Sequence, residues 1–259
     1  MRPILRYHGG KWKMAQSIIQ HFPAHRIYVE PFGGAASILL NKPRSYAEVY
    51  NDLFPDVVNV MRVLRDPEQA QRLREVCELT PFAREEFYTK IDRTEAVEWA
   101  RGVIFRSFAG FGVGASSSEE YKTGFRGDSK RTGGTPSHDW ANWPSHIVDF
   151  VARLRGVTIE NRRATEVMQQ HDTPETLHYL DPPYMHATRK SKTNHAIYEF
   201  EMTNQQHAEL LQFIQTVKGK VLISGYRSEL YDDMLKDWHR VDFGAMADGA
   251  RKRTESLWM

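Results

Sequence analysis

Asp181, Pro182, Pro183 and Tyr184 stand in a row directly after the segment "LHYL". A carboxylate at the C-terminal end of a strand lies on the ligand side of an open α/β sheet. The two prolines fix φ and supply no N–H, so the local backbone offers carbonyls. The Asp181 carboxylate and the Pro182 carbonyl then form a pair of acceptors, suited to an NH2 group conjugated to a ring or a carbonyl. Such a nitrogen is a poor nucleophile because its lone pair is delocalised. Accepting both of its protons favours the pyramidal form and stabilises the positive charge that develops as it attacks. Tyr184 supplies a face on which the ring bearing the amine can stack. A strand terminator with a solvated acid is the plain alternative, and four specific residue types in this order weigh against it.

A second candidate site lies near the N-terminus. "VEPFGGAAS" is a glycine turn after an apolar run, with Glu30 at the end of that run and Gly33 and Gly34 in the turn. It lacks the spaced G-x-G-x-x-G pattern of dinucleotide-binding turns. The turn alone reads equally well as a tight strand-to-helix connection. Asp52 changes the balance, because it ends the next strand about 20 residues on, where a carboxylate takes ribose hydroxyls. Together they point to an adenosine-type ligand.

The elements that must carry these residues follow from periodicity. "KMAQSIIQHF" places Met14, Ile18 and Ile19 on one face of an amphipathic helix, "RIYVE" and "AEVYND" read as strands, and "ASILL" opens a helix between them. From Pro55 to about Phe108 the pattern is helical, through "DVVNVMRVL", "PEQAQRLREVCEL", "AREEFYTKI" and "EAVEWARGVIFRSF". Residues 109–145 lose periodicity and are rich in Gly, Ser, Thr and Pro, too long a stretch for a plain connector. Alternation returns with strands at "GVTIEN", "LHYL" and "KVLIS" and helices at "TNQQHAELLQFIQTV" and "ELYDDMLKDW". Thr203 with Gln206 is a capping box. The tail predicts two strands around a polar loop. The expected fold is an α/β sheet domain split in sequence, residues 1–60 and 150–259, around a helical and loop insert at 61–149.

Composition bounds the rest. The chain of 259 residues is 41% hydrophobic and 12% aromatic, enough for a sizeable core, and its formal net charge of +2 says little about partners. The single cysteine, Cys77, excludes an internal disulfide framework, suits a reducing cytosol and reads as a small apolar helix residue. The N-terminal stretch has no long apolar run, so neither a secretory signal nor a membrane anchor is expected. The histidines show no metal-ligand spacing, and no metal is expected. Positive charge gathers in one short stretch of the insert. Lys122, Arg126, Lys130 and Arg131 against Asp128 leave +3 over residues 121–135, interleaved with Tyr121 and Phe125. Basic side chains on a glycine-rich loop can follow phosphates, and Arg is the usual reader of base edges. A second basic loop, with Arg189, Lys190 and Lys192, follows Tyr184 directly and is placed to touch a nucleic-acid backbone.

The motifs in order, "RYHGGK", "VEPFGGAAS", "YND", the insert, "DPPY", "ISGY" and "ESLWM", resemble the Dam-type (D12 class) DNA adenine-N6 methyltransferases, particularly the short phage and prophage members. The resemblance spans nearly the whole chain. It implies a Rossmann-like sheet that binds S-adenosylmethionine, and transfer of its methyl group to a flipped adenine in double-stranded DNA. It further implies cofactor contacts from Tyr7 and Lys11, with Tyr7 standing where the family has Trp. Phe32 and Gly33 are implied at the methionine part with Glu30 nearby, and Asp52 at the ribose. Asp181, Pro182, Pro183 and Tyr184 form the catalytic motif, Asp181 also facing the cofactor, and the insert is the target-recognition segment. One departure stands out. Arg163 occupies a position after "TIEN" that is often acidic in similar sequences, leaving Asn161 or backbone groups for the cofactor's adenine.

A cytoplasmic enzyme of a bacterial or phage-infected cell is expected, with no obligate protein partner. Whether it serves restriction-modification, host mimicry or regulation stays open. Cytosine-N4, RNA or glutamine-side-chain methylation are the alternatives within the reaction class. Outside it stand a non-catalytic DNA-binding relative and, more weakly, an NAD-linked oxidoreductase, for which the Asp181–Tyr184 motif has no use.

Overall fold

The structure, a computed structural model, describes residues 2–7, 9–110, 124–127, 134–185, 201–247 and 251–259, with backbone alone at 245–247 and 251–253. The chain forms two compact units. The first comprises residues 1–13, 34–41 and 54–159, and the second residues 14–33, 42–53 and 160–259. The expected insert, 61–149, falls wholly within the first.

Seven strands form one sheet: β1 (Ile27–Glu30), β2 (Ala47–Asn51), β3 (Val157–Glu160), β4 (Thr176–Leu180), β5 (Lys220–Gly225), β6 (Arg240–Ala247) and β7 (Arg251–Trp258), in the order β3-β2-β1-β4-β5-β7-β6. β2, β1, β4 and β5 run parallel, while β7 pairs antiparallel with both β5 and β6 as the expected closing hairpin. The chain works outward from β1 and then returns to start β4 on its other side. That reversal makes a switch point between β1 and β4, where open α/β sheets take their ligands. The mixed α/β fold with a mostly parallel sheet is the Rossmann-like arrangement expected from the sequence.

In the second unit, α1 (Ala15–Ile19), α9 (Ala164–Gln170), α10 (Asn204–Ile214) and α11 (Glu229–Met234) accompany the strands. α10 begins with the expected capping box, in which the Thr203 hydroxyl accepts from the Gln206 amide and the Gln206 side chain accepts from the Thr203 amide. Leu180, Leu210, Leu211, Ile214, Ile223, Tyr231 and Trp258 form its main apolar core. β4 is buried at every position, as a central parallel strand must be, although it carries a histidine.

That histidine is structural. His178 Nε2 lies 3.4 Å from Asp172 Oδ1, and Asp172 also accepts the backbone N–H groups of Lys218 and Gly219 at 2.8 Å each. Burial lowers the His178 pKa, with the Asp172 carboxylate pulling the other way. Burial likewise lowers His25 and His171. All three are therefore less protonated in the folded chain than in the unfolded one. Below the ordinary imidazole pKa of about 6.5 the unfolded state binds the extra protons, so stability present at neutral pH is lost as pH falls. Urea unfolding at about pH 7.5 and about pH 5.5 is expected to show this loss, and a smaller one in His178→Gln, which cannot titrate there. An equal loss in the variant would clear His178 of the effect.

The first unit is helical: α2 (Ser37–Asn41), α3 (Pro55–Arg65), α4 (Pro67–Leu79), α5 (Arg84–Tyr88), α6 (Ala96–Ala109), α7 (Pro136–Asn142) and α8 (Ile147–Leu154). Asp66 caps α4 through the amides of Glu68 and Gln69, and Glu95 caps α6 through those of Val97 and Glu98. α7, α8 and, in the second unit, α9 were not anticipated. α7 is only seven residues long, so its signal is its start: the Thr135 hydroxyl accepts from the His138 amide and Pro136 takes the first turn. α8 buries Ile147, Phe150 and Leu154 along one face. Trp140 and Trp143 are buried with their indole N–H groups satisfied by the carbonyls of Thr80 and Ile4. No helix among the described residues is long and apolar enough to cross a membrane.

Candidate active site at the C-terminal edge of the parallel strands

In the second unit the expected acids gather at one edge of the sheet. β1 ends in Glu30, β2 is followed by Asp52, and β4 is followed by Asp181. In-register pairing of Val29 with both Val49 and His178 keeps these parallel strand ends side by side. Glu30 is buried, and its carboxylate accepts from the Tyr28 phenol at 2.8 Å. Burial, and then the Glu30 charge, push the Tyr28 phenol well up, so it remains a donor.

Asp181 is held by β5. Ser224 Oγ donates to Asp181 Oδ1 at 3.0 Å and lies 3.0 Å from the Tyr179 hydroxyl. A serine hydroxyl has one proton. When Ser224 gives it to Asp181, Tyr179 supplies its own to Ser224, and the relay Tyr179–Ser224–Asp181 aims one carboxylate oxygen inward. Burial pushes the nearby Tyr231 phenol up, helped by the Asp181 charge. Pro182 is buried and Pro183 half-buried. Tyr184 is 8% exposed, its phenol donating to the buried Glu255 carboxylate and its ring tilted 32° against that of Tyr226 at 4.3 Å between centroids.

The loops after β1, β2 and β3 are tied together by asparagine. Asn51 is fully buried. Its amide nitrogen donates to the carbonyls of Pro31 and Arg162, and its oxygen accepts from the Arg162 amide. Asn161 donates to the carbonyls of Asp52 and Leu53. Its nitrogen is thus committed to shaping the loop that carries Asp52, while Arg163 is exposed at the start of α9. Gly33 donates to the Asn51 carbonyl at 2.7 Å. Phe32 packs half-buried against the main core cluster.

The first unit holds Tyr7 and Lys11. The Tyr7 carbonyl accepts from the Gly10 amide, closing the "RYHGGK" turn, and Lys11, only 4% exposed, donates to the Gly9 carbonyl at 3.2 Å. The Tyr7 ring lies 3.1 Å from where a Cβ on Gly34 would sit, and Gly34 has φ +47°. Arg126 is half-buried, its amide donating to the Ala109 carbonyl at the end of α6, beside a Phe125 ring that packs on Phe82. Lys122, Lys130, Arg131, Arg189, Lys190 and Lys192 lie outside the described residues.

Three carboxylates at the ends of β2, β1 and β4, a glycine turn and an acid-proline-proline-tyrosine corner fit a ligand with hydroxyls and an amine. A family model described as "D12 class N6 adenine-specific DNA methyltransferase" matches residues 7–248. The chain belongs to this family. Proteins named DNA adenine methylase from Salmonella typhi and Escherichia coli (strain K12) are each 26% identical to it over 255 residues, covering 93% and 92% of this chain and 84% of theirs. One of that name from Vibrio cholerae (strain O395) is 36% identical over 69 residues, 27% of this chain and 24% of its own. The methyltransferase therefore acts on DNA at adenine N6, and membership implies S-adenosylmethionine as the methyl donor. Among the described residues there is no group of three or more His, Cys, Asp or Glu able to hold a metal.

Sequence reading of this methyltransferase missed Asn51 and Glu255 as individuals. Both are polar residues on strands whose partners come from distant segments, and no local pattern announces them. Ser224 and Tyr226 stand beside the Asp181–Tyr184 corner, Ser224 through its hydrogen bond to Asp181 and Tyr226 through its ring contact with Tyr184.

Proposed function

We propose that this chain is a site-specific methyltransferase for adenine in double-stranded DNA, with Asp181, Pro182, Pro183 and Tyr184 as its catalytic corner. The observation that carries the assignment is Asp181 at the end of β4, beside the switch point, with its carboxylate oriented by Ser224. S-adenosylmethionine supplies an electrophilic methyl group when bound. Asp52 takes ribose hydroxyls, and Glu30, Phe32 and Gly33 line the part of the site nearest the methionine. The Gly33 turn supports this, because its backbone packs directly over Tyr50 where a side chain has no room. Tyr7 and Lys11 are assigned to the cofactor on the strength of the "RYHGGK" resemblance.

The target adenine leaves the stack at a cost of a few kcal/mol. Tyr184 then stacks on it. The Asp181 carboxylate and the Pro182 carbonyl accept the two N6 protons, holding the nitrogen lone pair in line for attack and stabilising its growing positive charge. No strong general base is required, since the product ammonium is acidic enough to lose its proton late. Residues 61–149 serve target recognition while the sheet domain binds cofactor, in a bacterial or phage-infected cytoplasm where the DNA lies.

The basic residues of the insert test the DNA side of this reading. Replacing Lys122, Arg126, Lys130 and Arg131 together by Ala is expected to weaken duplex binding and flatten its log K against log salt slope by up to about 4. Affinity for S-adenosylmethionine should stay unchanged. Titration of labelled duplex across a salt series reads both slope and affinity, and an unaltered slope would remove these residues from the DNA contact.

A further inference from the structure

Tyr184 is useful as a stacking platform only if its ring is held still, and two residues outside the Asp181–Tyr184 motif are placed to hold it. Its phenol lies 3.2 Å from Glu255 Oε1 and 3.3 Å from Oε2. A single proton shared between both oxygens centres the hydroxyl on the carboxylate and so fixes the axis from Cγ to Oη. It does not fix rotation of the ring about that axis. Tyr226 does, because its ring lies 4.3 Å away, centroid to centroid, at an interplanar angle of 32°. Aromatic faces at that separation resist rotation.

The sheet explains why these two residues meet. Gly225 on β5 pairs with Ser256 on β7 in antiparallel register, so the next positions along, Tyr226 and Glu255, face each other where the ladder ends. β7 therefore delivers a carboxylate, only 3% exposed, to the corner formed after β4. Burying a carboxylate is costly unless it is hydrogen-bonded, and the Tyr184 phenol is one of the donors that holds it.

We propose that Glu255 and Tyr226 are positioning residues for base capture. Glu255 pins the axis of the Tyr184 ring, and Tyr226 sets its plane. This rests on the reading of Tyr184 as the stacking platform, and the test separates the two ideas. Steady-state kcat and KM for DNA and for S-adenosylmethionine would be measured for Tyr184→Phe, Glu255→Gln, Glu255→Leu, Tyr226→Phe and Tyr226→Ala, for the Tyr184→Phe/Glu255→Leu double variant, and for Tyr184→Ala. Thermal midpoints report folding alongside.

Loss of positioning should lower kcat by about ten- to a hundredfold with KM for S-adenosylmethionine unmoved, since a small misplacement is enough to cost that much. Tyr184→Phe and Glu255→Leu should fall by similar factors, and the double variant no further than either alone, because both remove the same bond. Glu255→Gln keeps an acceptor and should recover part of the loss. Tyr226→Phe keeps the ring and should resemble the wild type, whereas Tyr226→Ala should not. Wild-type kcat in Tyr184→Phe overturns the proposal without relying on Glu255 variants that fail to fold. Full additivity in the double variant overturns it as well. If Tyr184→Ala is inactive while Tyr184→Phe and Glu255→Leu are unimpaired, the platform stands and the positioning role falls. Full activity in Tyr184→Ala removes the platform itself.

Discussion

Asp181→Ala is expected to abolish methyl transfer, by a factor of at least about a thousand, while leaving the chain folded. The size follows from what the carboxylate is asked to do. The N6 lone pair of adenine is delocalised into the ring, and attack requires it to localise while positive charge grows on nitrogen. A preoriented acceptor acts most strongly at that moment, and it also holds the amine in line. Removing it forfeits both contributions. The structural cost is small, because Asp181 sits on a loop after β4 and is half-exposed. Ser224, its hydrogen-bond donor, has the Leu180 carbonyl within 3.3 Å as a second acceptor. The loss in stability should thus stay near about 1 kcal/mol. Incubating the variant with S-adenosylmethionine and duplex DNA, digesting the DNA and counting N6-methyladenine by mass spectrometry gives the answer. Asp181→Asn sharpens it, since it keeps the shape and one acceptor oxygen but loses the negative charge. Full activity in Asp181→Ala would end the mechanism.

Residue types and their order announced most of the reaction, and periodicity announced most of the sheet. The strands were legible because parallel strands buried on both faces read as short apolar runs between turn residues. Helices α3, α4 and α6 were legible because each is long enough to show a repeating buried face. α7 and α9 span two turns each, too short for periodicity to speak, and α7 lies in a stretch otherwise rich in Gly, Ser and Thr. The site divides in the same way. Asp181 and Gly33 carry local signatures, since prolines and glycines alter the backbone wherever they occur. Asn51, Ser224 and Glu255 do not, because each acts through a partner that only the strand order brings near. His178 shows the reverse hazard. It lies three residues before Asp181, yet its imidazole faces Asp172 and the start of β5 rather than the Asp181–Tyr184 corner.

Gly33→Ala should damage the site from within the fold. A Cβ built on Gly33 would lie 2.2 Å from Cε2, 2.5 Å from Cδ2 and 2.8 Å from Cζ of Tyr50, well inside contact distance. Tyr50 is fully buried on β2 and has no solvent to move into. The turn itself is also held, because the Gly33 amide donates to the Asn51 carbonyl at 2.7 Å. Either the ring or the turn must shift, and overpacking of this kind costs about 1–3 kcal/mol. In a chain of this size each kcal/mol lowers the melting midpoint by roughly 2–4 °C, so a fall of several degrees is expected. Affinity for S-adenosylmethionine, read by calorimetry at a temperature where the variant is folded, should fall in parallel, since the displaced turn is the one assigned to the methionine end. Tyr50→Ala supplies the control. It is destabilising alone, but it removes the atoms that the new methyl meets, so Gly33→Ala should cost less in that background than in the wild type. Equal costs in the two backgrounds would show that contact with Tyr50 is not what reserves this position for glycine.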